Sequence, residues 1–330
     1  MLRGVKALNG LKRSVTRLLA PCAVRHVSCA VVPALVLALV LAFVLGGQMS
    51  AALAQARLQP ELAPERIVFP ARAEGRDWQV TAFVYRPPGK GPFPLLVFSH
   101  GRSGKAEERA ALRYPVPLGH VAYWQRKGFA VMAPIRPGYG ETGGPDIESS
   151  GNRIDRAGAC QGAGAYHRVA RNAADVVEAA VKWGREQKWV NPRAILLAGQ
   201  SVGGLTSAAT GARNLPGVIG YINFSGGTGG DPEKRPKASC FPELLEQVYG
   251  TFGRTTRVPN IWLYAPNDLF WGEEAPRRWH RAFAAAGGRG EFVMTAPVPN
   301  EDGHRLLLRG GRLWSIPVDR FLSGLGIAAR

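Results

Sequence analysis

One nine-residue stretch constrains the fold of this chain more than any other: Leu196-Leu197-Ala198-Gly199-Gln200-Ser201-Val202-Gly203-Gly204. An apolar run typical of a buried strand leads directly into the pattern Gly-x-Ser-x-Gly, and a helix-forming segment follows. The turn between them has to be tight, and glycines at 199 and 203 permit this because neither has a Cβ that would strike a neighbouring element. We therefore predict that Ser201 projects above a sheet, at a helix N-terminus that favours developing negative charge.

To act as a nucleophile at neutral pH, a serine hydroxyl needs a base that takes its proton, and that base needs an acidic side chain to orient it. Only two histidines follow Ser201 in the sequence. His280 lies inside an apparent helix, where a surface role is expected, whereas His304 lies in the loop after the last predicted strand. Asp268 follows a predicted strand by a short turn, so Ser201, Asp268 and His304 are the predicted catalytic set. Asp302 is the alternative acid, although its side chain can instead shape the histidine loop through an Asx turn.

Acyl transfer also needs two N–H donors at the oxygen that becomes negatively charged. The N–H of Val202, directly after the nucleophile, is one candidate. The second is expected from the loop that follows the strand at 95–98, which reads Ser99-His100-Gly101-Arg102-Ser103-Gly104. We assign the second donor to the N–H of Arg102, with the N–H of Ser103 as the alternative. If His100-Gly101 is only a plain turn, this loop supplies no donor.

The rest of the chain from residue 78 alternates predicted strands with helices. The strands are expected at 78–85, 95–98, 129–133, 194–198, 218–224, 261–265 and 291–295, and the helices at 166–189, 203–213, 273–286 and 313–322. Asn191-Pro192 is expected to end the first of these helices. This alternation indicates an α/β fold with a mostly parallel central sheet and helices on both faces. Residues 226–257 are interpreted as a small insertion or lid.

Residues 78–325 carry, in this order, Ser99-His100-Gly101, the Gly-x-Ser-x-Gly motif at 199–203, Asp268 and Asp302-Gly303-His304. With these motifs the segment resembles the α/β-hydrolase superfamily, and within it the dienelactone hydrolase-like and secreted serine esterase or peptidase branch. Dienelactone hydrolases proper use a cysteine nucleophile, whereas this chain has Ser201. The resemblance implies acyl transfer to water from an ester, thioester or amide.

The leading functional hypothesis is a serine hydrolase that cleaves carboxylic esters of small molecules through an acyl-enzyme. A peptidase or amidase of the same fold is an alternative, since both reactions share the tetrahedral intermediate. The third hypothesis is an inactive hydrolase fold that serves as a binding protein, which would have no need to keep Ser201, Asp268 and His304 together.

The N-terminal segment has the three parts of a secretory signal peptide. Six basic residues and no acidic ones occur in 1–56, an uncharged apolar run spans 30–45, and small residues precede possible cleavage sites after Ala54 and Ala56. We interpret 1–56 as a signal peptide and 57–330 as a single α/β-hydrolase domain, exported to the periplasm or secreted. An uncleaved membrane anchor is the alternative for this segment.

Removal of the signal would leave only Cys160 and Cys240 in an oxidising compartment, where two thiols are more often bridged than free. We therefore predict a disulfide between them. Two separately buried cysteines are the alternative.

The formal charge of +18 raises the question of nucleic acid, but the basic residues after position 56 are mostly scattered arginines without the run that lines a phosphate-binding groove. We expect no nucleic-acid partner, and membrane contact only through the N-terminus. No paired CxxC, HExxH or P-loop pattern occurs, so no metal is predicted. Residues 138–143 match GxGxxG, but Gly144-Pro145 follows where a helix should begin, so no dinucleotide cofactor is expected.

Overall fold

The computed structural model describes residues 62–327. The predicted signal segment at 1–56, with its cleavage sites, lies outside this range. Within the described range, no helix has both the length and the apolar character that a membrane span requires.

The described residues form ten strands. They are β1 (Glu65–Ala73), β2 (Arg76–Tyr85), β3 (Phe93–Ser99), β4 (Ala130–Pro134), β5 (Arg153–Ile154), β6 (Cys160–Gln161), β7 (Val190–Gln200), β8 (Val218–Phe224), β9 (Asn260–Tyr264) and β10 (Glu291–Met294). Eight of them build one sheet in the order β1-β2-β4-β3-β7-β8-β9-β10, while β5 and β6 pair separately. Along the part of this order that runs β4-β3-β7-β8-β9-β10, all neighbouring strands are parallel. Strand β2 is antiparallel to both β1 and β4. The predicted mostly parallel sheet is confirmed.

Eight α-helices accompany these strands in the described part of the chain. They are α1 (Ala106–Ala110), α2 (Leu118–Arg126), α3 (Tyr166–Arg185), α4 (Val202–Gly211), α5 (Pro242–Thr255), α6 (Glu274–Ala285), α7 (Leu306–Arg309) and α8 (Gly311–Gly324), and a 3₁₀ turn spans Gly303–Arg305. Helices α3 to α6 pack on one face of the sheet, and α2 and α8 on the other.

Two hydrophobic cores lie on opposite sides of the sheet, and strand β7 contributes to both. Ile195 and Leu197 belong to the core under α3 to α6, whereas Leu196 and Ala198 belong to the core under α2 and α8. Successive side chains of a strand point to opposite faces, so a strand covered on both sides has to be apolar at every position. This explains the unbroken apolar run that precedes the serine motif.

The boundaries of helix α3 differ from the prediction. It ends at Arg185 rather than at 189, and Asn191-Pro192 lies within β7 instead of ending the helix. The carbonyl of Trp189 already accepts a hydrogen bond from the Phe93 N–H at 2.7 Å, so the chain runs beside β3 from this point. Pairing with β3 therefore overrides the apolar periodicity that favoured a longer helix.

The predicted insertion at 226–257 consists of two different parts. Its second half is α5, which buries Leu245, Val248 and Tyr249 on the same face as α6 and connects β8 to β9 as an ordinary crossover helix. Only residues 226–241 form an irregular loop at the carboxyl end of β8.

Candidate active site

Ser201 occupies the sharp turn between β7 and α4. Its φ of 59° and ψ of −125° lie in a region that residues other than glycine rarely adopt. Its N–H donates to the Phe224 carbonyl at 3.0 Å, and its own carbonyl accepts from the N–H of Gly227 at 3.1 Å, which holds the turn. A Cβ on Gly203 would overlap the backbone of Ser99, so the glycine is required by the close approach of β3.

The structure brings Asp268 and His304 into direct contact. His304 Nδ1 lies 3.0 Å from Asp268 Oδ2, and the Asp268 side chain is fully buried. A carboxylate can only accept, so Nδ1 donates to it, and in the neutral imidazole this leaves the lone pair on Nε2. His280 lies elsewhere: its Nε2 donates to the Gly290 carbonyl, and its ring packs against Trp262.

The other carboxylate oxygen of Asp268 is used by the backbone. Oδ1 accepts from the N–H groups of Phe270 at 2.7 Å and Trp271 at 3.1 Å. These bonds fix the carboxylate plane, so that Oδ2 is the atom directed at His304. The Phe270 ring stacks on the imidazole with 4.0 Å between centroids, and the Trp271 ring meets it edge-on.

Asp302, the alternative acid, caps the turn that carries the histidine. Its Oδ1 accepts from the N–H groups of His304 at 2.9 Å and Leu269 at 2.8 Å. This is the Asx-type arrangement expected of a loop-shaping residue. Asn267 adds a second support, because its side-chain amide bonds the carbonyls of Val298 and Glu301, both at 3.0 Å.

Ser201 and His304 line one cavity of about 300 Å³ together with Leu112, Tyr139 and Phe270. No hydrogen bond joins the Ser201 hydroxyl to His304 in the residues that the structure describes. Such contacts are often loose before substrate binds. Gln200, next to the serine, donates to the His304 carbonyl at 2.7 Å and so connects the two loops.

The two predicted oxyanion donors lie beside the serine. Val202 and Arg102 both line a second cavity, of about 430 Å³, that also reaches Ser201. Within residues 62–327 neither backbone N–H has a hydrogen-bond acceptor, so both are available to a ligand oxygen. The Arg102 guanidinium is held by Asp146 at 2.6 Å, which anchors this loop from outside.

A buried ionic network lies beneath the loop that carries Arg102. Arg136 and Glu148 form an ion pair with fully buried side chains, and Arg136 Nη1 donates to Ser99 Oγ at 2.8 Å. His100 accepts from the Arg136 N–H at 3.2 Å and donates through Nδ1 to the Gly101 carbonyl at 2.7 Å. Burial, together with the positive charge of Arg136, lowers the pKa of His100 well below its ordinary value, so the ring stays neutral.

The loop at 226–241 forms one wall of the larger cavity through residues 228–233. In the structure Cys240, at the end of this loop, is bonded to Cys160 in β6. The N–H of Cys240 also donates to the Gly229 carbonyl at 2.9 Å. The disulfide therefore ties the cavity wall to the segment that precedes α3.

Sequence reasoning did not find several residues of this site. Asn267 and Gln200 adjoin predicted catalytic residues and Phe270 lies two positions after Asp268, so position alone was an available signal for them. Arg136 and Glu148 had none, because their burial depends on how two loops meet above the sheet.

No protein-family model matches the sequence, and no curated protein is significantly similar to it. Solved structures are similar in fold. An esterase of Pyrococcus furiosus matches with a TM-score of 0.54 and 12% identity, over 80% of this chain and 92% of the esterase. A puromycin-hydrolysing peptidase of Mycobacterium tuberculosis matches with a TM-score of 0.53 and 15% identity, over 82% of this chain and 42% of the peptidase. A candidate dienelactone hydrolase of Klebsiella pneumoniae matches with a TM-score of 0.50 and 14% identity, over 81% of this chain and 100% of that protein. These similarities show that the chain has the α/β-hydrolase fold.

Proposed function

We propose that this protein is a secreted serine hydrolase that cleaves carboxylic esters through an acyl-enzyme. The observation that carries the proposal is the pairing of His304 Nδ1 with the buried carboxylate of Asp268 beside the strained turn at Ser201. A strained backbone persists only where its surroundings hold it, and such strain concentrates at functional sites.

In the proposed reaction the Ser201 hydroxyl oxygen attacks the ester carbonyl carbon, and its proton passes to His304 Nε2. The carbonyl oxygen becomes an oxyanion that accepts from the N–H groups of Val202 and Arg102. The carbon–oxygen bond to the alcohol then breaks, and the alcohol oxygen takes the proton from Nε2. Ser201 is left acylated.

Water completes the cycle by the reverse use of the same groups. It gives a proton to His304 Nε2 as it attacks the acyl carbon, and Ser201 leaves with that proton. Asp268 stabilises the imidazolium in both halves without becoming protonated. The product is a carboxylic acid.

Peptide-bond cleavage is the second candidate. The peptidase of Mycobacterium tuberculosis is as similar in TM-score as the esterase of Pyrococcus furiosus, 0.53 against 0.54. An amide passes through the same tetrahedral intermediate, so the choice is one for substrate profiling.

Export belongs to the proposal as well. The Cys160–Cys240 bond supports it, since disulfides persist mainly in oxidising compartments. N-terminal sequencing of the exported protein should give a start near Gln55 or Arg57. A start that retains residues 35–45 would indicate a membrane anchor instead.

The deciding experiment combines a fluorophosphonate probe with substrate profiling. We expect the probe to label Ser201, and we expect turnover of p-nitrophenyl esters to exceed turnover of peptide anilides. Ser201→Ala should lose both labelling and activity, with kcat falling on the order of 10⁶. The matched control is Ser323→Ala, because Ser323 lies on the exposed side of α8 and its hydroxyl bonds only its own helix.

Retention of near-full activity by Ser201→Ala would overturn the serine mechanism. Faster cleavage of anilides than of esters would favour the peptidase. Folded wild-type protein that turns over no ester, thioester or amide would favour the binding role.

A further inference from the structure

Ser201 lies where two cavities with different walls meet. The cavity of about 430 Å³ contains Val202 and Trp271 but not His304, whereas the cavity of about 300 Å³ contains His304. The second adjoins a groove of about 400 Å³, with which it shares His100, Gly101 and Gln200 as lining residues. We call this neighbour the apolar groove; its other walls are Phe98, residues 114–118, Leu307 and Leu308.

The walls of the apolar groove carry no Lys, Arg, Asp or Glu. Among the described residues, six large apolar side chains are strongly exposed, and three of them lie on this groove: Tyr114 at 65%, Leu118 at 38% and Leu308 at 50%. Grouped exposure of this kind marks binding surfaces in proteins that otherwise scatter such side chains. The larger cavity differs from the groove, because its walls include Lys105, Asp231 and Glu233. The smaller cavity shares Arg102 and Glu108 with the larger one, so charged side chains border both close to the serine and are absent only from the groove.

The chemistry of ester cleavage determines which part of the substrate lies on each side of Ser201. The leaving alcohol oxygen has to receive its proton from His304 Nε2, so the alcohol part of the substrate lies on the side of the serine that His304 borders. That side is the smaller cavity and, beyond it, the apolar groove. The acyl part then lies towards Val202 and the loop at 228–233.

We propose that the natural substrates are esters of an apolar alcohol, whose hydrocarbon part lies along Tyr114, Leu118, Leu307 and Leu308. The proposal rests on the ester-hydrolase function argued above. The acyl portion occupies the larger cavity, where the rings of Phe270 and Trp271 stand among charged side chains, so a longer acid meets a mixed wall rather than a purely apolar one. Selectivity therefore increases with the length of the alcohol rather than with the length of the acid.

The experiment uses two ester series on the mature protein, both below their solubility limits. One series holds the acid constant, from ethyl to hexyl acetate; the other holds the alcohol constant, from ethyl acetate to ethyl hexanoate. We expect kcat/KM to rise along the acetate series by roughly fourfold for each methylene that enters the groove, the value of one buried methylene. We expect little change along the ethyl series.

Two variants test whether the groove causes this preference. Leu308→Glu places a charge on the groove wall and should lower the ratio of hexyl to ethyl acetate kcat/KM at least tenfold. Tyr114→Ser tests a second lining residue and decides the question if the first variant does not fold. Ile316→Glu is the matched control, because Ile316 is an exposed apolar residue, at 66%, that is not a wall of the groove. Its ratio should equal that of the wild type.

An unchanged ratio in folded Leu308→Glu or Tyr114→Ser overturns the proposal. A response confined to the acid series also overturns it, because the groove would then hold the acyl chain. If the wild type cleaves esters and is labelled at Ser201 but shows a flat acetate series, only this inference fails. If it cleaves no ester, the proposed function fails and this inference fails with it.

Discussion

Replacement of Asp268 by asparagine tests the proposed triad through a single atom. Oδ1 of Asp268 faces two N–H donors, those of Phe270 and Trp271, so the side-chain oxygen of an asparagine has to remain at that place. The amide nitrogen then takes the place of Oδ2, 3.0 Å from His304 Nδ1. Because that nitrogen donates, Nδ1 has to accept, and the imidazole proton moves to Nε2. The lone pair that should take the Ser201 proton is then lost.

The size of the loss follows from this tautomer change. The variant lacks an accepting Nε2 and also lacks the negative charge that stabilises the imidazolium. In triad hydrolases the same exchange lowers kcat by about 10⁴, or about 5.4 kcal/mol in activation free energy. The shape and the two backbone hydrogen bonds are retained, so we expect the melting temperature to change little.

The matched control is Asp302→Asn. Both N–H groups that Asp302 binds, from His304 and Leu269, contact the same oxygen, Oδ1, which an asparagine also supplies. We expect a loss of less than tenfold in kcat. Steady-state hydrolysis of a p-nitrophenyl ester, with circular dichroism to verify folding, measures both variants.

Two outcomes would contradict this account of Asp268. A greater loss in Asp302→Asn than in Asp268→Asn would mean that the acid is assigned to the wrong residue. More than a tenth of wild-type activity in Asp268→Asn would mean that His304 does not depend on this carboxylate for its tautomer.

Three further predictions concern stability. Cys160→Ser with Cys240→Ser should lower the free energy of unfolding by roughly 4 kcal/mol, because the bond closes a separation of 80 residues; equal urea midpoints would contradict this. Burial lowers the pKa of His120 from 6.5 to about 3, so between these values the unfolded state binds more protons and stability falls as the pH falls. His120→Gln should reduce the slope of the unfolding free energy against pH by about 1.4 kcal/mol per pH unit, measured by urea unfolding from pH 4 to 6. An unaltered slope would count against this explanation. Gly203→Ala should abolish activity or folding because its Cβ overlaps backbone, whereas Gly119→Ala, with open space around it, should not; an active Gly203→Ala would disprove the steric account.

The fold was largely predictable from the sequence because its signals are local. Apolar runs mark strands covered on both faces, and the glycines that permit the turn at Ser201 lie within two positions of it. The missed elements show the limit of this reasoning. β1 pairs antiparallel with β2 at the sheet edge, where Pro70 obscured the strand pattern, and the end of α3 depended on pairing with β3.

The candidate site could be read from the residues that follow the carboxyl ends of β7, β9 and β10. Parallel strands bring those ends to one edge, so Ser201, Asp268 and His304 could be proposed together from their order alone. The sequence also left two cysteines after the predicted cleavage, and thus a single pairing.

Which carboxylate faces His304 depends on three-dimensional packing, since Asp268 and Asp302 both lie close to that residue in space. The same holds for the burial of Arg136 with Glu148 and for the groove lined by Tyr114 and Leu308, which are 194 positions apart in the chain. These features differ from the predictable ones in the distance over which their causes act. Backbone sterics and side-chain periodicity act over a few residues and can be read from the sequence, whereas the direction of a loop side chain depends on every element packed against it.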